Sequence, residues 1–265
     1  MSSNETSFDT DTVDIGYVME TARAAGVRAI QMAESMAPEF KSDHSYVTNI
    51  DRETEQFVRA RLEARYPNYA FLGEEYGRHG DSDAPLWAVD PIDGTTNMVF
   101  GLPLWCVSIG LIANGRAQAG AVYLPRTDEM FSGVRGQGSY CNGVRLEAKD
   151  RETIHIEDTL GFTSRAIQHL DTSVLPGRLR CLGSIATDIV YAARGTLCCL
   201  IGMHEGAYDI AAALCIAHEA GCTAAYLTGE LLDIDTIVRE GRTSAPFAIA
   251  PPRFLSQLQA QLHPR

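Results

Sequence analysis

The segment Trp87-Ala-Val-Asp90-Pro91-Ile92-Asp93-Gly94-Thr95-Thr96-Asn97 carries two acids three residues apart in a turn after an apolar run. Pro91 stiffens that turn, Gly94 permits close backbone approach, and the residues after it can open a helix whose free N–H groups face an anion. Two carboxylates about 4 Å apart repel by roughly 4 kcal/mol at an effective dielectric near 20, so such a pair shares a proton or binds cations. Oxygen-only ligands suit Mg²⁺, whereas zinc draws His or Cys, which this turn does not offer. The competing reading is an Asx turn with an N-cap, roles in which Asp is favoured.

Three other segments carry acids in suggestive places. Gly73-Glu74-Glu75 follows the short apolar run Tyr69–Leu72, at a strand end where catalytic loops sit, although a solvated loop would read the same way. Asp209 stands where Gly206-Ala207-Tyr208 meets a small-residue helix, a place equally natural for an N-cap. The stretch from Lys41 to Asp51 sets Thr48 and Asp51 before a second helix, where capping is again the alternative.

The elements that must hold these residues follow from periodicity. Residues 13–36 place Val13, Tyr17, Val18, Ala22, Ala25, Ile30 and Ala33 near one face, and Pro38 closes a first long helix. A second helix spans 51–65. Short apolar runs at 69–72, 86–89, 106–113, 118–123 and 129–134 predict a strand-rich sheet, with hairpin turns at Asn114-Gly115 and at glycines 136 and 138. After residue 149 the pattern turns α/β, with strands near 159–162, 179–182 and 197–201 and helices near 185–194, 209–220 and 253–262. With no repeat or Pro/Ser-rich linker, residues 1–265 read as a single domain of two packed halves, a sheet-rich one at about 13–149 and an α/β one at about 150–265.

Composition narrows the partners. The 265 residues carry a formal charge of −12 with no Lys/Arg cluster, which argues against nucleic acid or an anionic membrane. No apolar stretch reaches 18 residues and the polar start has no signal-like pattern, so a soluble cytoplasmic protein is expected. The seven cysteines lack C-x-x-C spacing and read as reduced core residues. The histidines show no metal spacing, though His204 could line a pocket.

Taken in order, Lys41, Val47-Thr48, Asp51, Gly73-Glu74-Glu75, Trp87, Asp90–Asn97, Tyr208-Asp209 and Glu219-Ala220-Gly221 resemble the pattern of the inositol monophosphatase family, over roughly residues 13 to 262. The resemblance implies an α/β fold, a layered α-β-α-β-α sandwich of the inositol monophosphatase/fructose-1,6-bisphosphatase type. It also implies a Mg²⁺-dependent, Li⁺-sensitive phosphomonoesterase, usually a homodimer, acting on a small phosphorylated metabolite. By the same resemblance Glu74, Asp90 and the carbonyl of Ile92 hold one Mg²⁺, Asp90, Asp93 and Asp209 hold a second, and a third is held weakly near Glu74. Thr95 and Asp51 orient the attacking water. Asp93, Gly94, Thr95, Gly183, Ser184 and Asp209 then face the phosphate and alcohol.

The chain departs from that pattern at Gly202, where relatives acting on inositol phosphate carry a Glu that accepts from ring hydroxyls; nearby Glu205 could substitute only if its loop is reshaped. Gly183-Ser184-Ile185-Ala186 resembles the loop touching the alcohol, with a Ser184 N-cap as the competing reading. Met98-Val99-Phe100-Gly101 differs from the usual aromatic and His, a change assigned to packing. Arg78-His79-Gly80 and Asp233-Ile234-Asp235 mimic other phosphatase signatures but lack their context. The expected activity is hydrolysis of an inositol-1-phosphate-like polyol or sugar phosphate. The alternatives are histidinol phosphate, fructose bisphosphate or a nucleotide 3′-phosphate, or a non-catalytic relative that binds a phosphorylated ligand or a protein.

Overall fold

The computed structural model describes residues 8–42 and 44–263. Helix α1 (Ile15–Met32) opens where the Asp14 carboxylate accepts from Tyr17 N, and it buries Val18, Ala22, Ala25 and Ala29. It is shorter than the periodicity predicts, because Ala33–Ser35 tighten into a 3₁₀ turn. Strands β1 (Pro38–Phe40) and β2 (Tyr46–Thr48) form a small hairpin that leads into α2 (Asn49–Arg65).

Next come β3 (Ala70–Gly73), β4 (Gly77–His79), β5 (Leu86–Asp93), the short α3 (Thr95–Val99), β6 (Cys106–Ala113), β7 (Arg116–Leu124), β8 (Glu129–Val134), β9 (Gly138–Cys141) and β10 (Val144–Arg145). Their eight strands lie in the order β10-β9-β8-β7-β6-β5-β3-β4. Only the β3–β5 pair is parallel. The expected Asn114-Gly115 turn joins β6 to β7 with φ of 50° and 69°, the left-handed values of a type I′ hairpin.

Two expectations are corrected here. Strand β5 does not stop at Val89 but runs through Pro91 to Asp93, because the pairing with β6 shifts register between Asp90 and Asp93 and so tolerates a residue with no N–H. The cysteines are all free but not all in the core: Cys181 is exposed and Cys141 and Cys198 are half-buried.

The remaining elements are β11 (Thr159–Phe162), α4 (Ser164–His169), β12 (Arg178–Arg180), α5 (Ile185–Arg194), β13 (Cys199–Gly202), α6 (Ala207–Glu219), β14 (Thr223–Tyr226), α7 (Ile234–Glu240), β15 (Phe247–Ala250) and α8 (Pro252–Gln261). The five strands order as β12-β11-β13-β15-β14, with β11 parallel to both neighbours.

The layers follow from which faces are apolar. Helices α1 and α2 cover one face of the large sheet, with Val18, Val58 and Leu62 against Trp87, Ile109 and Ala121. Helices α5 and α6 fill the space between the sheets, where Ile189, Ile210 and Ile216 meet Phe131, Leu200 and Phe247. Outside the smaller sheet, Phe254 and Leu258 of α8 and Ala166 of α4 pack on Phe162 and Ile201. The result is the α-β-α-β-α sandwich. Burying each such large side chain contributes about 1.5–3 kcal/mol.

Helix α6 sits unusually close to the sheet. A Cβ on Gly120 would lie 2.3 Å from Ala212 O, and one on Gly110 would lie 2.5 Å from Ala212 N, so both glycines and the alanines facing them are needed for the approach. No helix among the described residues is long and apolar enough to cross a membrane.

Candidate active site

The parallel pairing of β3 with β5 stops at Gly73 and Val89, and Glu74, just past the end of β3, shares a cavity of about 200 Å³ with the last residues of β5. It is lined by Ser45, Tyr46, Glu74, Asp90, Ile92, Asp93, Gly94, Thr95, Thr96, Gly183 and Asp209. Eight of the ten residues singled out from the sequence are among them. The other two, Asp51 and Ser184, each lie one hydrogen bond behind.

Asp51 is fully buried in the first turn of α2. Its Oδ2 accepts from Thr48 N (2.9 Å) and Thr48 Oγ1 (2.5 Å), closing a capping box, while its Oδ1 accepts from Thr95 Oγ1 at 2.8 Å. Capping and a site role therefore coexist. Burial raises its carboxyl above the usual range against the pull of these donors, and Glu74 adds to the rise. Thr95 Oγ1 also lies 3.0 Å from Ile92 O, but it has one proton. The charged Asp51 oxygen is the stronger acceptor, which leaves the Ile92 carbonyl with lone pairs to spend elsewhere.

Glu74 and Glu75 are both held by Lys41, whose Nζ lies 2.7 Å from an oxygen of each. Burial works against the Lys41 charge, but the two carboxylates outweigh it and raise the pKa. Beneath the turn, Glu55 accepts from Glu75 N (2.7 Å) and Tyr76 N (3.0 Å). Burial lifts Glu55 to about 7. Its carboxylate fills the place a side chain at 73 would take: a Cβ on Gly73 would lie 2.0 Å from Glu55 Oε1. Sequence reasoning gave Glu55 no role, although it stands one helical turn after Asp51 and so on the same face.

Asp90 is 2% exposed and makes the Asx-type contact foreseen as an alternative, its Oδ1 accepting from Ile92 N at 3.0 Å. Burial, then Glu74, Asp93 and Asp209, hold its carboxyl well above the usual range. Asp93 reaches into the second half of the chain, accepting from Ser184 Oγ (2.6 Å), Ala186 N (2.6 Å) and Ile185 N (3.2 Å). It thereby supplies the cap bonds of α5; Ser184 holds the N-cap position, as its alternative reading has it, but its Oγ bonds Asp93 and Thr187 and not the helix N–H groups. Burial pushes Asp93 up to about 6 despite these donors.

Asn97, the last residue of the motif, donates to Leu104 O (2.5 Å) and Leu182 O (2.6 Å), tying α3 to the loop before α5. In the run that follows, Met98 packs in the core, whereas Phe100 is 67% exposed and edge-on to Tyr46.

Asp209 is the third residue of α6, with Oδ2 accepting from Gly206 N at 2.6 Å. Burial, Glu205, Glu74 and Asp93 raise its carboxyl well above the ordinary range. Behind Asp93 lies Asp188 on α5, buried, with Oδ1 lacking a hydrogen-bond partner and its carboxyl pushed up to about 8 by burial, Asp93 and Glu205. Nothing in the sequence pattern had marked Asp188. The two phosphatase mimics are structural: Arg78 and His79 belong to edge strand β4, and Asp233 caps α7.

Among the described residues no three His, Cys, Asp or Glu side chains converge as a finished ion cage. Lys41 draws Glu74 aside and Ser184 draws Asp93. The donor chemistry nevertheless fits a hard divalent cation: Glu74 Oε2, Asp90 Oδ2 and Asp209 Oδ1 accept no hydrogen bond from the described residues, and the Ile92 carbonyl is next to them. Burial first, and then neighbouring like charge, raises the pKa values of Asp90, Asp93 and Asp209, as in a carboxylate set that lacks a counter-ion.

A family model, the inositol monophosphatase family, matches residues 11–262. The chain is 34% identical over 241 residues to an inositol-1-monophosphatase of Mesorhizobium japonicum, covering 84% of this chain and 90% of that one. It is 31% identical over 232 residues to the Nus factor SuhB of Pseudomonas aeruginosa, covering 81% of this chain and 86% of that one. Among solved structures, an IMPase/NADP phosphatase complexed with NADP and Ca²⁺ superposes with a TM-score of 0.81 over 96% of each chain, at 22% identity.

Proposed function

From the premise that this chain belongs to the inositol monophosphatase family and is a phosphoric monoester hydrolase, we propose that it releases phosphate from a small phosphorylated polyol or sugar in a Mg²⁺-dependent reaction at the Glu74–Asp209 cavity. The observation that carries this reading is the set of carboxylates on one cavity with unengaged oxygens and raised pKa values beside the Asp51–Thr95 hydrogen bond.

Glu74, Asp90, the Ile92 carbonyl, Asp93 and Asp209 would hold two Mg²⁺, with Asp90 shared and a third ion weakly bound near Glu74. When bound, such ions neutralise the carboxylates, draw in the phosphate and ease both proton loss from water and departure of the alkoxide oxygen. The Ca²⁺ in the similarly folded IMPase/NADP phosphatase supports a divalent site. Thr95 donates its proton to Asp51, so its hydroxyl lone pairs face the cavity as acceptors for a water in line with the phosphorus. Buried Asp51 is the base to which that proton passes through the hydroxyl. Gly94, with φ +94° and no room for a side chain against Ser184 and Gly183, lets the phosphate approach the backbone where α3 begins. No covalent phosphoenzyme is required.

In this reading the protein is cytoplasmic, homodimeric and Li⁺-sensitive. A protein-binding role, favoured by the name of the Pseudomonas relative, is the second reading. Phosphate release across a panel of esters, each with and without Mg²⁺, separates the two. Strict Mg²⁺ dependence, abolished in Asp90→Asn, is expected; turnover retained in that variant would overturn the metal assignment, and no turnover with any ester favours the binding role.

A further inference from the structure

The place where relatives put a hydroxyl-accepting Glu is closed in this chain. Gly202 ends β13 under the ring of Phe247, and a Cβ there would lie 2.6 Å from Phe247 Cζ. The loop that follows is reshaped. His204 adopts φ +70°, and Thr243 Oγ1 accepts from both His204 N (2.8 Å) and Glu205 N (3.0 Å), while Thr243 N donates to Glu205 O at 2.9 Å. The residue after Glu205 ties this loop to the site, Gly206 N donating to Asp209 Oδ2 at 2.6 Å, and the Asp93 charge raises Glu205 while the Glu205 charge raises Asp209. The Glu205 carboxylate accepts no hydrogen bond from the described residues.

Two guanidinium groups flank this loop. Arg242 precedes Thr243 and donates from Nη1 to His204 O at 3.2 Å. Arg165 is the second residue of α4, whose start is tied to the site twice: Thr163 N donates to Ile201 O on β13 (3.0 Å), and Ser164 Oγ lies 3.3 Å from Cys181 Sγ, two residues before Gly183. Both arginines are exposed, both act electrostatically on Glu205 and His204, and neither forms an ion pair with a carboxylate among the described residues. The carboxylates around the cavity would hold cations that neutralise the phosphate being cleaved, which leaves the arginines for a different anion. An uncharged polyol would gain little from them, since exposed charges reward an opposite charge and not a hydroxyl.

We propose that Glu205, Arg165 and Arg242 form the leaving-group subsite, and that the substrate is a phosphate monoester whose alcohol carries a hydroxyl beside a second anionic group, either phosphate or carboxylate. This rests on the hydrolase reading above. Glu205 accepts from the hydroxyl, and the guanidinium pair binds the second anion.

The test compares kcat/KM for fructose 1,6-bisphosphate (second phosphate), 3-phosphoglycerate (carboxylate) and inositol 1-phosphate (no second anion), in wild type, Arg165→Gln, Arg242→Gln and the double variant. Wild type favours one dianionic-alcohol ester over inositol 1-phosphate by about 10-fold or more, and the double variant lowers that ratio by ~10- to 100-fold, mainly through KM. Arg→Lys at both positions restores part of it. A wild-type preference for inositol 1-phosphate, or a ratio untouched by the double variant, overturns the proposal. Calorimetric Kd values for the same esters in Ca²⁺ read the subsite without turnover: absent turnover with the Kd ratio intact sinks the hydrolase reading alone, whereas no Kd ratio sinks this one.

Discussion

Replacing Asp51 by Asn removes one charge and exchanges one acceptor for a donor at a carboxylate that accepts three hydrogen bonds. The oxygen of the introduced amide must keep facing Thr48 N and Oγ1, because the capping box leaves Thr48 N no other partner. The amide NH₂ then faces Thr95 Oγ1, which has to accept from it and turn its own proton to Ile92 O, 3.0 Å away. A hydroxyl so inverted cannot pass a proton to residue 51, and it places a competing donor against the Ile92 carbonyl. General-base assistance is worth about 10²–10⁴ in rate, so kcat falls by that range. Stability moves little: the raised Asp51 pKa says that burial outweighs its hydrogen bonds, so relief of the buried charge offsets the weakened contacts to within ~1 kcal/mol. Steady-state phosphate release with the best ester, paired with urea denaturation, gives both quantities. A kcat within 3-fold of wild type would refute the assignment of the base, and a fall matched by Thr95→Val at equal stability would support the shared path.

The proposed Mg²⁺ site should release protons on loading. Because Asp93 is pushed up to about 6 and burial and like charge raise Asp90 and Asp209 well above the ordinary carboxylate range, the folded metal-free protein is favoured at low pH and loses stability as pH rises from about 4 through the raised values. The melting-temperature gain on replacing EDTA by Mg²⁺ is therefore larger at pH 8 than at pH 6, and an equal gain at both would count against the cluster. Gly73→Ala drives a methyl into Glu55 and frees Glu75 N and Tyr76 N; a loss of about 2–4 kcal/mol in urea melts and weaker Mg²⁺ binding by calorimetry are expected. Asp188→Asn makes neutral a group with folded pKa near 8, so in EDTA it stabilises by on the order of 4 kcal/mol more at pH 8.5 than at pH 5; an equal effect on the melts at both pH values would exclude the raised pKa.

The sequence made much of this legible where local chemistry is dense. The D-P-I-D-G-T-T-N run and the G-E-E turn stand out because each follows a short apolar run, and Asp209 because it opens a small-residue helix; Glu74, Asp90, Asp93 and Asp209 line one cavity. Strands β6, β8 and β11 and helix α5 match their expected bounds, since their apolar runs are cut sharply by turn residues. What stayed hidden depends on contacts across the chain. Glu55 looks like one more surface acid of a charged helix until Gly73 is laid over it. Asp188 is an ordinary polar residue of α5 until the large sheet brings Asp93 beside it. Thr243 carries no local signal at all, because its partners lie 38 and 39 residues away. Edge strands β4 and β10 were missed, being short and polar, and the paired strands β14 and β15 arise from runs too brief to separate from a buried helix by periodicity.

Asp93 and Asn97 reach from the large sheet to the loop and helix that begin at Leu182, 85 to 93 residues further along the chain. The carboxylate cluster is therefore a seam and not a pocket carved in one half. During folding, Asp90 and Glu74 can be in place on the large sheet while Asp209 is still absent, so a half-assembled chain offers only part of the ligand set. Cation affinity then reports on docking of the two sheets, and a cation that binds only the docked form stabilises it by mass action. The metal would act as a clasp during assembly before it acts as a reagent, and cells short of Mg²⁺ would lose folded protein along with turnover.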